Sequence, residues 1–150
     1  MTADADVDLV LDFLNTVDLG AGTDLLTDPA GRRDWLAARG LEDTDDAADV
    51  RTALRTAAGD TGPAPAVAAP VTVTLGADGP RLEAGDVAGA VLAAASRLAV
   101  LGEWDRVKIC PADDCRWAFY DRSRNHSRTW CSMRVCGNRE KARAWRSRQA

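Results

Sequence analysis

The chain has 150 residues, enough for one ordinary domain or for a small domain with a metal-stapled appendage. Its formal net charge of −4 conceals a division: residues 106–150 hold 12 Lys and Arg against 4 Asp and Glu, or +8, while residues 1–105 hold 7 against 19, or −12. That split excludes a uniformly acidic protein and predicts a basic end made for an anionic partner, carried on an acidic body that does not share the task.

From the start of the chain, Met1 to Asp8 carries three aspartates and no basic residue, unlike a secretory leader, so an intracellular, cytoplasmic protein is expected. Val7, Leu9, Leu11 and Phe13 alternate as in a strand, while Leu9, Val10, Phe13, Leu14 and Val17 fit a helical stripe; the helix is the reading followed here. Asp28 before Pro29 is a helix start, and Gly40 is its C-terminal glycine. A second helix is expected from Val50, Leu54 and Ala57, opened by Thr44 or Asp45 and closed by Gly59. The Ala-, Pro- and Gly-rich run from Gly59 to Pro70 reads as a flexible connection. Val71 to Leu75 alternates strictly, and the Gly76–Gly79 turn leads to a second strand near Leu82, a hairpin. Asp86 then caps a helix whose stripe is Val87, Val91, Ala94, Leu98 and Leu101. This is the most apolar stretch, but Ser96 and Arg97 interrupt it and it is too short to span a bilayer, so no membrane association is expected.

Beyond Asp105, Val107 to Cys110 and Arg116 to Tyr120 read as short strands. Four cysteines stand in the last forty-one residues, spaced C-x4-C-x15-C-x4-C at Cys110, Cys115, Cys131 and Cys136, with none earlier. Two close pairs separated by one loop are the pattern of a single tetrahedral site, so one structural Zn(2+) is expected; disulfides would need an oxidising compartment. His126, the only histidine, is not needed as a ligand once four thiolates close the shell. Asn138 is a candidate N-cap for a final helix, with Glu140 in its first turn and Lys141 to Arg148 following. Knuckle, hairpin and helix make a treble-clef-like arrangement. The expected fold is therefore α+β: a mostly helical N-terminal domain with a β-hairpin over residues 1–104, then a small four-cysteine zinc finger over residues 105–150.

The run from Cys110 to Arg139 resembles the CGNR zinc finger family. It has the four cysteines and the tetrapeptide Cys136-Gly137-Asn138-Arg139. It also has the pattern of Phe119, Asp121, Ser123, Arg124 and Asn125, and the sequence Trp130 to Met133. The N-terminal part is similar to the domain usually joined to that finger, called ABATE, at Leu11 to Thr16 and again at Trp35 to Leu41. The resemblance implies a stress-induced transcription regulator whose finger binds DNA.

The residues are compatible with that implication. Arg139, Arg143 and Arg146 fall on one face of the expected last helix, and Lys141, Trp145 and Arg148 on an adjoining one. Arginine forks suit phosphates and guanine edges. Arg122, Arg128, Lys141, Arg143, Arg146 and Arg148 are the candidate nucleic-acid contacts, with Arg124 undecided. Asp121, Ser123, Asn125, Asn138 and Arg139 are expected to support the zinc loop, Arg139 by packing on the metal site and bonding Asp121 or loop carbonyls. Trp117, Phe119, Tyr120 and Trp130 are expected to fill the finger's small core, leaving Trp145 outside. An acidic protein of the transcription apparatus and RNA are alternative partners, and the N-terminal domain is a candidate for a protein contact or a homodimer. No catalytic residue is identified: a saturated four-thiolate zinc has no open position, and no phosphate loop, serine elbow or histidine dyad is present.

Overall fold

The burial of Val7, Val10, Phe13 and Leu14 on one stripe decides the first ambiguity. In the computed structural model, which describes residues 3–150, they form helix α1 (Ala3–Leu14). A two-residue strand pair absent from the sequence reading, β1 (Val17–Asp18) and β2 (Thr23–Asp24), follows. Helix α2 (Pro29–Ala37) starts as its residues dictate: the Asp28 carboxylate accepts from the N–H groups of Ala30 and Gly31 at 3.3 and 3.1 Å. It ends where Gly40 turns left-handed (φ +63°) and Leu41 N–H reaches back to Leu36 at 3.1 Å. Trp35 packs on Phe13, and the Arg39 guanidinium lies 3.9 Å over the Trp35 ring.

Helix α3 (Ala47–Ala57) buries Val50 and Leu54 as expected, but Ala57 is exposed and two arginines take buried positions instead. Each has its charge paired. Arg51 forks onto Asp24 with both contacts at 2.6 Å. Arg55 bonds Asp60 at 2.8 Å and donates to the carbonyls of Leu14 and Arg116. After the irregular connection, β3 (Thr72–Gly76) and β4 (Gly79–Glu83) form the anticipated hairpin. Helix α4 (Val87–Val100) is capped by Asp86, which accepts from Gly89 N–H at 2.7 Å. It packs on α1, and the pair is stitched by Arg97 forking onto the buried Asp6 at 2.9 and 2.6 Å.

Strands β5 (Val107–Ile109) and β6 (Ala118–Tyr120) pair antiparallel and carry the first two cysteines at their connection. Val107, Ile109 and Ala118 belong to the same hydrophobic core as Phe13, Val50 and Leu98. That core crosses the position expected to separate two domains. Asn15 fixes the crossing from the end of α1, donating to Ala118 C=O at 3.0 Å and accepting from Ala118 N–H at 2.8 Å. Ile109 N–H bonds Ala58 C=O at 3.2 Å. The finger's hairpin is thus a wall of the N-terminal core. No helix among the described residues is long and apolar enough to cross a membrane.

Removing the Asn15 side chain leaves both backbone groups of a buried residue unpaired. Asn15→Ala should cost about 3 kcal/mol in urea unfolding, with far-UV and tryptophan signals falling together in the wild-type protein. A loss below about 0.5 kcal/mol, or two separated transitions, would contradict this junction.

Candidate functional site

The β5–β6 connection places Cys110 and Cys115, while Cys131 and Cys136 sit where the loop after β6 turns into the last helix. All four are free thiols whose Sγ atoms lie within 4.8 Å of one another. Cys115 and Cys131 are 3.5 Å apart, and Cys131 and Cys136 3.6 Å. Zn–S bonds of about 2.3 Å in a tetrahedron require S···S edges of about 3.8 Å. The cluster therefore fits one structural zinc ion, with no ligand position left for substrate or water.

Without metal, burial pushes the Cys131 thiol up and the neighbouring thiols add to it, and Cys136 is pushed up to about 11. At Cys110 burial opposes the charge, but hydrogen bonds from the backbone of Cys131 and Ala112 outweigh it and draw the group down. Zinc must displace the remaining protons, so its affinity falls as pH falls. A four-thiolate zinc carries net charge −2, and Arg139 answers it, with one N–H 3.5 Å from Cys136 Sγ. Its Nε is buried beside the cluster without a partner of its own.

The glycine of the tetrapeptide has a steric reason. A Cβ on Gly137 would stand 2.4 Å from Met133 Sδ and 3.1 Å from Trp130 Cδ1. Trp130 and Cys131 pack with Phe119 and Ala112 in the finger's own small core, as expected, whereas Trp117 is 38% exposed. The final helix begins differently from the sequence reading. Ser132 caps a wide π-type turn (Met133–Gly137), accepting from Val135 N–H, and helix α5 (Asn138–Gln149) continues from it. Asn138 is inside the helix rather than its cap, and its side chain donates to Arg134 C=O at 3.3 Å.

The loop between the cysteine pairs is organised by Asp121, which is wholly buried. It accepts from Ser123 N–H at 2.8 Å, Arg128 N–H at 3.0 Å and Lys108 Nζ at 2.6 Å. Burial alone would raise this carboxyl, but Lys108 and the donors from Ser123 and Arg128 hold it far below the usual carboxylate range. Lys108 also reaches the carbonyls of His126 and Arg128, and Arg106 those of Asp121 and Ser123. Ser123 Oγ accepts from Ser127 N–H. Asn125 is exposed and makes no hydrogen bond among the described residues, so the expected support comes from Lys108 and Arg106 in its place.

The basic candidates divide. Arg128 bonds the carbonyls of Trp130 and Cys131 and lies 4.8 Å over Phe119, so its head is occupied with the zinc loop. Arg139 and Arg143 both bond Asp114, at 2.8 and 3.0 Å, and Arg143 also pairs with Glu140. The partner of Arg139 is Asp114, not Asp121. The two arginines in turn hold the Asp114 carboxyl below its ordinary value, Arg143 first. Arg122 lies over Tyr120 and 3.7 Å from Asp4. The side chains of Lys141, Arg146 and Arg148 are exposed and without partners among the described residues, as are those of Arg124 and Arg134. Arg134 and the clamp Asp114 were missed by sequence reasoning: nothing in local periodicity says that a knuckle aspartate faces a helix twenty-five residues on.

Two outcomes are expected. Chelating the zinc should abolish protection of the Gly137 and Arg128 amides in hydrogen exchange while those of Ile109 and Ala118, held by the main core, stay slow; equal loss at all four would contradict the shared wall. Asp121→Asn should destabilise the protein by about 3 kcal/mol at neutral pH. The folded carboxyl titrates below its unfolded value of about 3.9, so its stabilisation is present above that pH and is lost as pH falls through the folded value. Variant and parent should converge in acid, and a difference that persists there would count against this role.

The CGNR zinc finger family matches residues 106–149, and the ABATE family, described as "putative stress-induced transcription regulator", matches residues 7–113. Neither description is that of an enzyme. No curated protein matches the chain. With more than half its length matched, the chain belongs to the ABATE family and carries a CGNR zinc finger with a four-cysteine metal centre at its C-terminal end.

Proposed function

We propose that the protein is a non-enzymatic, zinc-dependent transcription regulator whose finger, residues 105–150, binds DNA, while residues 1–104 hold and orient it. The observation that carries this reading is helix α5. It has no buried residue, so burial does not account for its presence, and it carries five basic side chains in a segment of charge +8. Asp114 draws the Arg139 and Arg143 side against the knuckle. The opposite stripe, Lys141, Trp145 and Arg148, is left to solvent, with Trp145 59% exposed. Lys141, Arg146, Arg148, Arg124 and Arg134 are the proposed phosphate contacts, with Arg122 at their margin and Arg128 and Arg143 shaping the surface. Trp145 would lie against sugar or base.

A second reading has one observation in its favour. Met133 and Val135 are exposed beside these charges, at 48% and 59%, and an apolar-plus-basic surface also suits an acidic protein of the transcription apparatus. Recovery of a partner after nuclease treatment distinguishes the two.

Five phosphate contacts give a log–log salt slope of about −4.5 on duplex DNA. Fluorescence anisotropy of labelled DNA across a salt series should show it, and the double change Lys141→Ala and Arg148→Ala should lower the slope by about 2 while leaving one zinc bound. A slope near zero would exclude DNA as the partner.

A further inference from the structure

The β3–β4 hairpin has an apolar face that the fold leaves uncovered. Val73 and Leu75 are 68% and 82% exposed, and their cross-strand partners Leu82 and Pro80 lie on the same face. That face adjoins the end of α4. Leu82 lines one recess with Val100 and Leu101, which are themselves 88% and 61% exposed.

The hydrogen-bond phase follows from one residue. Pro80 has no N–H, so Leu75–Pro80 is not a hydrogen-bonded pair. Alternation then makes Thr74–Arg81 and Thr72–Glu83 the bonded pairs within the hairpin. The N–H and C=O groups of Val73 and Leu75 must point outward along the free edge of β3. Among the described residues no third strand pairs there: the sheet has two strands. The outer edge of β4 is blunted by the missing donor of Pro80. The edge of β3 carries none of the usual protection: Val71 to Leu75 contains no charge, no proline and no bulge.

We infer that β3 is the dimerisation strand of this protein and pairs antiparallel with β3 of a second copy across a two-fold axis at Val73, making a four-stranded sheet. The strand is complementary to itself in this register. Val73 meets its own copy, Val71 meets Leu75, and Thr72 meets Thr74, so apolar side chains share one face and threonines the other. Charge favours the same occupant. The N-terminal body carries −12 overall, yet the strand is neutral and the nearby Asp78 and Arg81 neutralise each other at 2.7 Å. Two copies can approach along β3 without opposing like charges at the contact, whereas a basic partner would find nothing there to bind. The symmetric closure leaves no edge free except the one Pro80 blunts.

The test uses the full-length zinc-loaded protein in sedimentation equilibrium from low to high micromolar concentration, with amide exchange at both ends of that range. A dimer is expected, tightening with salt as the acidic bodies are screened, and the Val73 and Leu75 amides should exchange slowly only when concentrated. Leu75→Glu sets a charge against the apolar Val71 of the other copy and should weaken association about tenfold or more, with circular dichroism and zinc content unchanged. Val73→Lys should do the same. A monomer throughout, a dimer untouched by both changes, or a dimer in which these two amides exchange freely would each overturn the proposal.

Discussion

Four sulfur atoms within 4.8 Å of one another can all be thiolates only with a cation among them, since like charges at that range repel strongly in a partly buried site. Everything beyond β6 hangs on this condition. With zinc present, the knuckle and the turn before α5 become one body; Ser132 caps that wide turn, and Gly137 leaves room for the Met133 and Trp130 side chains packed against it. Arg139 then has an anionic cluster to answer. The saturation that leaves the metal without an open position also makes it a scaffold rather than a reagent.

A finger of this size buries too little apolar surface to stand on thiolates alone. The chain solves this by giving one side of the finger to the larger domain. Val107, Ile109 and Ala118 fill the same core as α1, α3 and α4, and Asn15 and Arg55 satisfy the backbone of the strand and knuckle from the far side. The metal and the core therefore hold opposite faces of one hairpin, which couples the finger's position to the packing of the N-terminal helices. A change in that packing has a mechanical route to α5.

Much of the local structure was legible. Asp28-Pro29, Asp86 and Gly40 act as caps and stops through groups within a few residues of themselves, which is why spacing alone reveals them. The cysteine ligands were legible for a related reason: metal geometry restricts spacing. What stayed hidden depends on distant partners. A stripe of Val50 and Leu54 does not disclose that Arg51 and Arg55 are buried beside it, because their counter-charges Asp24 and Asp60 lie off the helix. Arg128 and Arg143 look like free cations in composition, yet one is committed to loop carbonyls and the other to Asp114 and Glu140. Charge counting finds the basic segment but not which of its charges are available.

That distinction bears on how the basic end behaves. Asp114 is itself half exposed, at 48%, and binds two arginines of α5, so these contacts sit in high dielectric and each is weak alone. Their effect is geometric: they turn one side of α5 toward the knuckle and leave Lys141, Trp145 and Arg148 facing outward. A phosphate near Arg143 would compete with Asp114 for the same fork, since both are oxygen anions with matching geometry. The acidic body cannot neutralise the outward stripe in the same way, because screening limits its reach to about 8 Å at physiological salt. The short-range clamp, rather than the long-range −12 field, therefore sets which cations of the basic end stay open to an anion.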